Sequence, residues 1–397
     1  MDQGKLQTAA LDGLNVAVLG AGIGGLTAAL ALAARGARVT VHEQAPAITE
    51  VGAGLQISPN GAVVLKALGL KPELDAIATW ARHVILHDYR RAGEVIRLDV
   101  SHGGQAAYAL VHRADLIAFL ERAARARGIG IFLGRQVASV APGTPATVTF
   151  ADGATLQADL VVGADGVHSV ARAALNDAAS ARFTGQVAWR ATVPMTDPVD
   201  PDVRLYMGPG RHLVRYPLRG GQLMNIVAVE ERRGWAEEGW HHTDDPANLR
   251  AAFAAFRGEV PGLLAQVDHV ALWGLFRHPV AARWTGPGTA ILGDAAHPTL
   301  PFLAQGANLA MEDAYTLARC LAEGSGAQNE KLMQYQRRRR DRAAKVIDAS
   351  TRNAWKYHVR FQPARLIGHT GLSILGRIAP DAMTRQFDWI HAHDVTA

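Results

Sequence analysis

The sequence predicts an α/β fold. A parallel β-α-β unit opens the chain, an antiparallel sheet is inserted, and helices close the C-terminal end. Three observations predict it. Residues 15–43, NVAVLGAGIGGLTAALALAARGARVTVHE, read as a buried strand, a glycine-rich turn, an Ala/Leu helix and a second strand. Residues 181–284 change character, with apolar and polar residues alternating in HLVRYPLRG and QLMNIVAVEE. The chain then returns to a buried strand in TAILGDAAH and continues with helical periodicity.

Each element has its own signal. The apolar run 15–19 suits a strand covered on both faces. The helix over 26–35 is stopped by Gly36, and the strand 38–42 ends at Glu43. EVGAGLQISPNGAVVLKALGL is a glycine-rich loop entering a helix, and ALVHRADLIAFLERAARARG has helical spacing over 113–127. Residues 146–163 alternate around Asp152-Gly153, a hairpin signal. DPANLRAAFAAFRG is a helical insert in the sheet region. Helices are expected near Gly306 and over 330–353, and 356–397 reads mostly helical. The expected domains are 1–180 with 285–355, then 181–284, then a C-terminal helical segment 356–397.

Composition narrows the class. Of 397 residues, 49% are hydrophobic and 19% charged, which fits a globular chain with a large core. A net charge of +5 is too mild to point to nucleic acid. Cys320 is the only cysteine, which excludes an internal disulfide and a Cys-x-x-Cys redox or zinc pair. No metal site is expected. The opening MDQGKLQTAALDG lacks a secretion pattern, and no apolar run reaches membrane-spanning length. A cytoplasmic location is the expectation. The run Arg337, Arg338, Arg339 and Arg340 reads as the solvated side of a helix.

Gly20, Gly22 and Gly25 form G-x-G-x-x-G between a strand and a helix, a Rossmann-like phosphate-binding turn. Gly20 permits the tight turn, Gly22 lets backbone approach a pyrophosphate, and Gly25 lets helix and strand pack closely. Glu43 is placed to accept from ribose hydroxyls. A carboxylate there repels a 2′-phosphate, so NADP is the poorest occupant, and this stretch alone leaves FAD and NAD open. The pairs Gly52/Gly54, Gly208/Gly210 and Gly286/Gly288 read as turns, so one such domain is expected.

Two further stretches carry a family resemblance. DLVVGADGVHSVAR puts Asp165-Gly166 at a strand end. ILGDAAHPTLPFLAQGANLAMEDA puts Asp294 at another, followed by His297-Pro298 and by Gly306-Ala307-Asn308 at a helix start. With Gly20–Gly25 these resemble the three fingerprints of the single-component FAD-dependent aromatic hydroxylases, which share the p-hydroxybenzoate hydroxylase fold. The chain looks closest to the salicylate hydroxylase and 3-hydroxybenzoate 6-hydroxylase branch, through GAGLQISPNG, YPLRGGQLMNIVA and GDAAHPTLPFLAQGAN over roughly residues 14–355.

The resemblance implies bound FAD. Gly20, Gly22, Gly24 and Gly25 would take the pyrophosphate end, and Glu43 the adenosine ribose. Gly54 and Arg113 would lie by the flavin, and Asp294 by the ribityl hydroxyls. Gln305 would be a polar contact, with the amides of Gly306, Ala307 and Asn308 at the pyrimidine edge. Asp165-Gly166 would serve the pyrophosphate region and transient nicotinamide. The implied cycle uses NADH or NADPH as transient co-substrate and O2, through a C4a-hydroperoxide whose terminal oxygen meets an electron-rich ring.

A phenol needs its proton removed or shared, so a base should face the ring. In Arg211-His212-Leu213-Val214-Arg215-Tyr216 alternate residues share a face, so His212 and Tyr216 point together, roughly 13 Å apart, with Arg211 and Arg215 opposite. Periodicity leaves open which face meets the pocket; the resemblance assigns His212 as base and Tyr216 as hydrogen-bond donor. Pro298, Pro301 and Phe302 would shape the reacting side of the flavin. Some relatives carry Gln where this chain has Pro301. His297 reads as a structural loop residue, and Trp189, Arg190 and Trp273 read as sheet packing.

Two alternatives stay open: an FAD oxidoreductase without oxygen insertion, and a quinone-biosynthesis hydroxylase in a membrane-associated complex. Disulfide reductases are disfavoured, since paired cysteines and a second glycine turn are missing. A Trp-x-Trp-x-x-Pro stretch is absent, which disfavours halogenation. A basic, Arg-rich strand weakly favours an aromatic carboxylate. The expected state is a monomer or homodimer.

Overall fold

The structure, a computed structural model, describes residues 10–48, 54–101, 106–232, 234, 242–378 and 380–397. A six-stranded sheet orders Thr285–Gly286, Thr289–Ile291, Leu160–Gly163, Asn15–Leu19, Arg38–His42 and Gly130–Phe132. All its neighbours are parallel except the first pair. Val18 and Leu19 are fully buried at its centre, as a two-sided apolar strand requires. Helix Ile23–Ala33 is apolar all round because it is covered all round: it packs between this sheet and helix Gly306–Glu323.

The second sheet has eight strands, in the order Thr243–Asp244, Val270–Arg277, Arg182–Pro194, Leu223–Glu231, Arg211–Leu218, Val203–Gly208, His83–Asp88 and Glu94–Asp99. Neighbours are antiparallel, except that Val203–Gly208 runs parallel to His83–Asp88. The platform expected over 181–284 therefore borrows its last two strands from residues 83–99. Nothing local in the sequence marks that pairing, because it joins segments over a hundred residues apart.

One face of this sheet carries Trp189, Tyr206 and Leu213 against Phe253, Phe256 and Leu263 of the helical insert. The other carries Ala188, Val229, Trp273 and Leu275 against Leu300 and Phe302 of the returning segment. The C-terminal helices Gln362–Ile378 and Pro380–Arg385 lie along the edge strand Glu94–Asp99. Their Leu372 and Met383 join a cluster with Leu86, Leu205 and Val214. Ile390 then buries itself against Leu309 and Val346. Among the described residues no helix is long and apolar enough to cross a membrane.

Candidate active site and cofactor cleft

The glycine turn is shaped by contacts that no side chain could share. Gly20 has φ +99°, and a Cβ there would stand 2.5 Å from the Ala164 carbonyl oxygen. A Cβ on Gly25 would stand 2.0 Å from the Gly20 carbonyl oxygen. A Cβ on Gly24 would meet Leu292 Cδ1 at 2.9 Å, so this glycine lets the first helix approach the returning segment. A Cβ on Gly22 would meet nothing within 4 Å, so open space lies beside the helix start. That helix has neither a side-chain cap nor an acid in its first turn. Its leading N–H groups and dipole therefore favour an anion. Glu43 closes the turn, accepting from the N–H of Ala21 at 2.8 Å and of Ala45 at 2.9 Å.

The two strand-end aspartates differ. Asp165 spends its carboxylate on its own chain. It accepts from the Ser169 hydroxyl and from the N–H groups of Val170 and Ala171, which start helix Val170–Leu175. The strand end thus meets the glycine turn with backbone, and Gly166 beside it has φ +77° with open space around it. Asp294 is walled in by protein yet keeps an exposed face, the signature of a group lining a cleft. Burial pushes its pKa up, while His297 and Arg113 pull the other way. Arg113, first residue of helix Arg113–Ala126, is itself lowered by burial and raised by Asp294.

Helix Gly306–Glu323 also starts without a side-chain cap, and Gly306 and Ala307 are half-buried there. The flanking side chains are internal struts. Gln305 donates to Ser58 Oγ at 3.0 Å and accepts from Asn60 at 3.0 Å. Asn308 accepts from the N–H of Ser58 at 3.1 Å and donates to the carbonyls of Gln56 and Ala304. These bonds leave backbone amides as what this helix start presents.

Behind it lies a closed set of buried charges. Glu312 accepts from Asn60 and Arg342, and pairs with Arg339. Asp313 binds the Gly293 N–H, His297 and Arg339. His297 is thus a structural loop residue whose ring also packs, tilted, against Trp284. Arg339 corrects the solvated reading of the arginine run: it is 1% exposed, while Arg337, Arg338 and Arg340 are exposed. Helical phase explains it, since Arg339 falls in register with the buried Leu332, Tyr335, Ala343 and Val346.

The platform face resolves the choice left open on strand Arg211–Leu218. Arg215 points away, to Glu259 at 2.7 Å, and Arg211 pairs with Glu230 at 3.0 Å. The arginines of this strand therefore do not furnish an anion site in the cleft. His212 is buried, with its ring 5.9 Å from that of Phe302 and 5.4 Å from that of Tyr357. Its Nδ1 stands 2.6 Å from Nε2 of His358. Burial, then the neighbouring His358, holds its pKa well below the usual histidine value.

Tyr216 is buried against Gly54, where a Cβ would strike its ring at 2.5 Å. The Gly54 N–H donates to Asn225 Oδ1 at 2.7 Å, so strand Gly54–Ile57 meets the eight-stranded sheet beside Tyr216. Burial raises the Tyr216 pKa and keeps its hydroxyl protonated. Arg190 shares this face. Its guanidinium lies 4.8 Å from the Trp273 ring, and burial pushes its pKa down to about 10, with Arg113 acting in the same direction. Trp189, one residue earlier, packs on the opposite face as expected; Arg190 and Trp273 belong to the cleft. Pro298 is half-buried in the loop that leads from Asp294 to Leu300. A separate surface groove of about 400 Å³, lined by Asn15, Arg38, Arg127 and Gln157, shares none of these residues.

The FAD binding domain family matches residues 13–350. The chain belongs to the FAD-dependent aromatic hydroxylases. It is 38% identical to the 3-amino-4-hydroxybenzoate 2-monooxygenase of Streptomyces cremeus, over 87% of this chain and 88% of that one. It is 34% identical to the 3-hydroxybenzoate 6-hydroxylase of Polaromonas naphthalenivorans, over 87% and 89%. A salicylate hydroxylase substrate complex superposes with TM-score 0.80 at 25% identity, covering 96% of both chains. Klebsiella pneumoniae HpxO complexed with FAD and uric acid shares the fold, with TM-score 0.82 at 24% identity over 95% and 97%. This hydroxylase is therefore an FAD-binding flavoprotein monooxygenase. Sequence alone assigns Arg190 to sheet packing and passes over Asn225 and His358, which the structure places beside Tyr216 and His212. Strand alternation from His212 through the paired strands could have found the first two; nothing local marks His358.

Proposed function

We propose that this hydroxylase inserts oxygen into an aromatic carboxylate bearing a phenolic hydroxyl, using NAD(P)H and O2 in the cytoplasm. The observation that carries the reading is one buried sheet face that holds His212, Tyr216 and Arg190 over the Pro298–Phe302 loop, beside Gly54. The residues fit FAD. Gly20, Gly22, Gly24 and Gly25 would take its pyrophosphate, with Gly166 and the backbone of Asp165 flanking, and Glu43 the adenosine ribose. Arg113 and Asp294 would hold the ribityl chain, and the Gly306, Ala307 and Asn308 amides the far ring edge. Residues 1–180 and 285–355 would serve the cofactor, and 181–284, completed by 83–99, the substrate. Bound FAD supplies electron transfer from nicotinamide and activation of O2.

The chain's own residues do the rest. His212, neutral at pH 7, accepts the phenol proton on Nε2. Tyr216 donates a hydrogen bond from the other end of the face, roughly 13 Å away, so the ring is held between them. Arg190 stays charged and takes the carboxylate. Leu300, Phe302 and Trp273 exclude water from the ring.

The test is a panel of 3-amino-4-hydroxybenzoate, 3-hydroxybenzoate and salicylate, scored for stimulated NADH and NADPH oxidation and for product mass. A product heavier by one oxygen is expected. Substrate-stimulated turnover with no oxygenated product would sink the reading. His212→Ala should keep FAD and lose roughly 100-fold or more in coupled turnover, with hydrogen peroxide replacing product.

A further inference from the structure

We infer that His212, His358 and Glu231 form a proton relay from the substrate pocket to solvent. His212 Nδ1 lies 2.6 Å from His358 Nε2, and His358 Nδ1 lies 3.1 Å from Glu231 Oε1. Glu231 Oε2 is gripped by Arg360 at 2.6 and 2.9 Å. Exposure rises along the chain of bonds: the His358 side chain is 1% exposed, Glu231 32% and Arg360 68%. The three relay residues come from three segments, and backbone bonds lock them together. The Gly210 N–H donates to the His358 carbonyl at 3.1 Å, and the Glu231 N–H donates to the Gly210 carbonyl at 2.8 Å. Gln186 Nε2 stands 3.4 Å from the same His358 Nδ1, a longer contact than that of Glu231.

The relay answers a problem set by burial. A buried imidazolium is costly, so His212 is a poor place to store the phenol proton. In the relay the phenol O–H breaks and a bond to His212 Nε2 forms. The Nδ1 proton of His212 passes to His358 Nε2, and the Nδ1 proton of His358 passes to the Glu231 carboxylate, which releases it to water. No electrons move. The result is one phenolate in the pocket, one proton in solvent, and both rings in the opposite tautomer, ready to return a proton when product leaves. His358 and Glu231 are thus positioning residues that act through His212.

The inference rests on the proposed phenolic substrate, and the experiment separates the two. FAD-loaded enzyme is mixed in stopped flow with 3-amino-4-hydroxybenzoate, in weak buffer with phenol red. The flavin absorbance shift reports binding and the dye reports proton release. Wild type should release one proton per site in step with binding. His358→Gln and Glu231→Gln should keep the flavin shift and release the proton at least tenfold more slowly, and free imidazole should restore the rate in His358→Gly. Release at the wild-type rate in both variants overturns the relay. If 3-amino-4-hydroxybenzoate gives no flavin shift even in wild type, the relay is judged on ligand-free enzyme by imidazole 15N NMR. Protons on Nδ1 of both rings, with His358 responding to Glu231→Gln, support it. A proton on His358 Nε2, or no response to Glu231→Gln, overturns it.

Discussion

Asp313 is closed off from solvent and Asp294 opens onto the cleft, and the two carboxylates are driven in opposite directions. Asp313 would be raised by burial alone, but His297 and Arg339 outweigh that and hold it at about 2. Its oxygens are taken by the Gly293 N–H, His297 and Arg339. Asp294, next to Gly293, is raised, because burial outweighs its charged neighbours. It accepts no hydrogen bond among the described residues. The closed acid is a brace: through Gly293 it fixes the loop that carries the open one. A carboxylate set among protein atoms without donors costs stability. Its retention at a cleft is the pattern expected of a group whose donors arrive with a ligand.

The largest expected effect tests the brace. Arg339→Met leaves Glu312 and Asp313 facing each other without their shared cation. Breaking a buried pair on one side typically costs about 3–5 kcal/mol. Urea denaturation of the apoprotein should show a loss of that size. A loss under about 1 kcal/mol would mean that the closed cluster does not hold the fold.

Asp294→Asn should do the reverse. Removing a charge that burial disfavours should stabilise the apoprotein at pH 7 and weaken FAD at least tenfold, about 1.4 kcal/mol. Flavin fluorescence titration and apoprotein denaturation read the two effects separately. If the variant binds FAD normally and is less stable, the contrast with Asp313 is wrong.

Acid titration sharpens the same contrast. The folded Asp313 value of about 2 lies below an unfolded value near ~3.9. Its contribution, on the order of 2 kcal/mol, is present above the unfolded value and lost as pH falls toward 2. Asp294 has the opposite sign. Its cost appears as pH rises through the ordinary carboxylate range, so the stability gained by Asp294→Asn should fade below that range. Urea midpoints between pH 3 and 7, with and without the substitution, measure both.

The glycine turn was legible because its geometry is local. Gly20, Gly25 and Glu43 act through backbone clearances and a strand end within one β-α-β unit, and spacing alone reports those. The sheet face that carries His212 was half legible. Alternation put His212 and Tyr216 on one face and the arginines of that strand on the other, but without the strand pairing it could not say that Arg190, two strands away, shares the His212 face. His358 and the strands at 83–99 were invisible, because they reach the site through contacts between distant segments. Gln305 and Asn308 were placed correctly at a helix start, yet periodicity cannot show that their side chains are spent on Ser58, Asn60 and Gln56.

The smallest effect separates two arginines of one run. Arg337 and Arg339 share a residue type, a helix and a neighbourhood in sequence, and differ only in phase. The buried stripe through Leu332, Tyr335, Ala343 and Val346 includes Arg339 and leaves Arg337 exposed. Arg337→Gln should therefore change stability by no more than about 0.5 kcal/mol. Combined with Arg339→Met, it should add nothing beyond its own small effect, within about 0.5 kcal/mol. A larger coupling would mean that the two cations share the load on Glu312 and Asp313. The brace would then be a property of the whole run, not of the one arginine that helical phase turns inward.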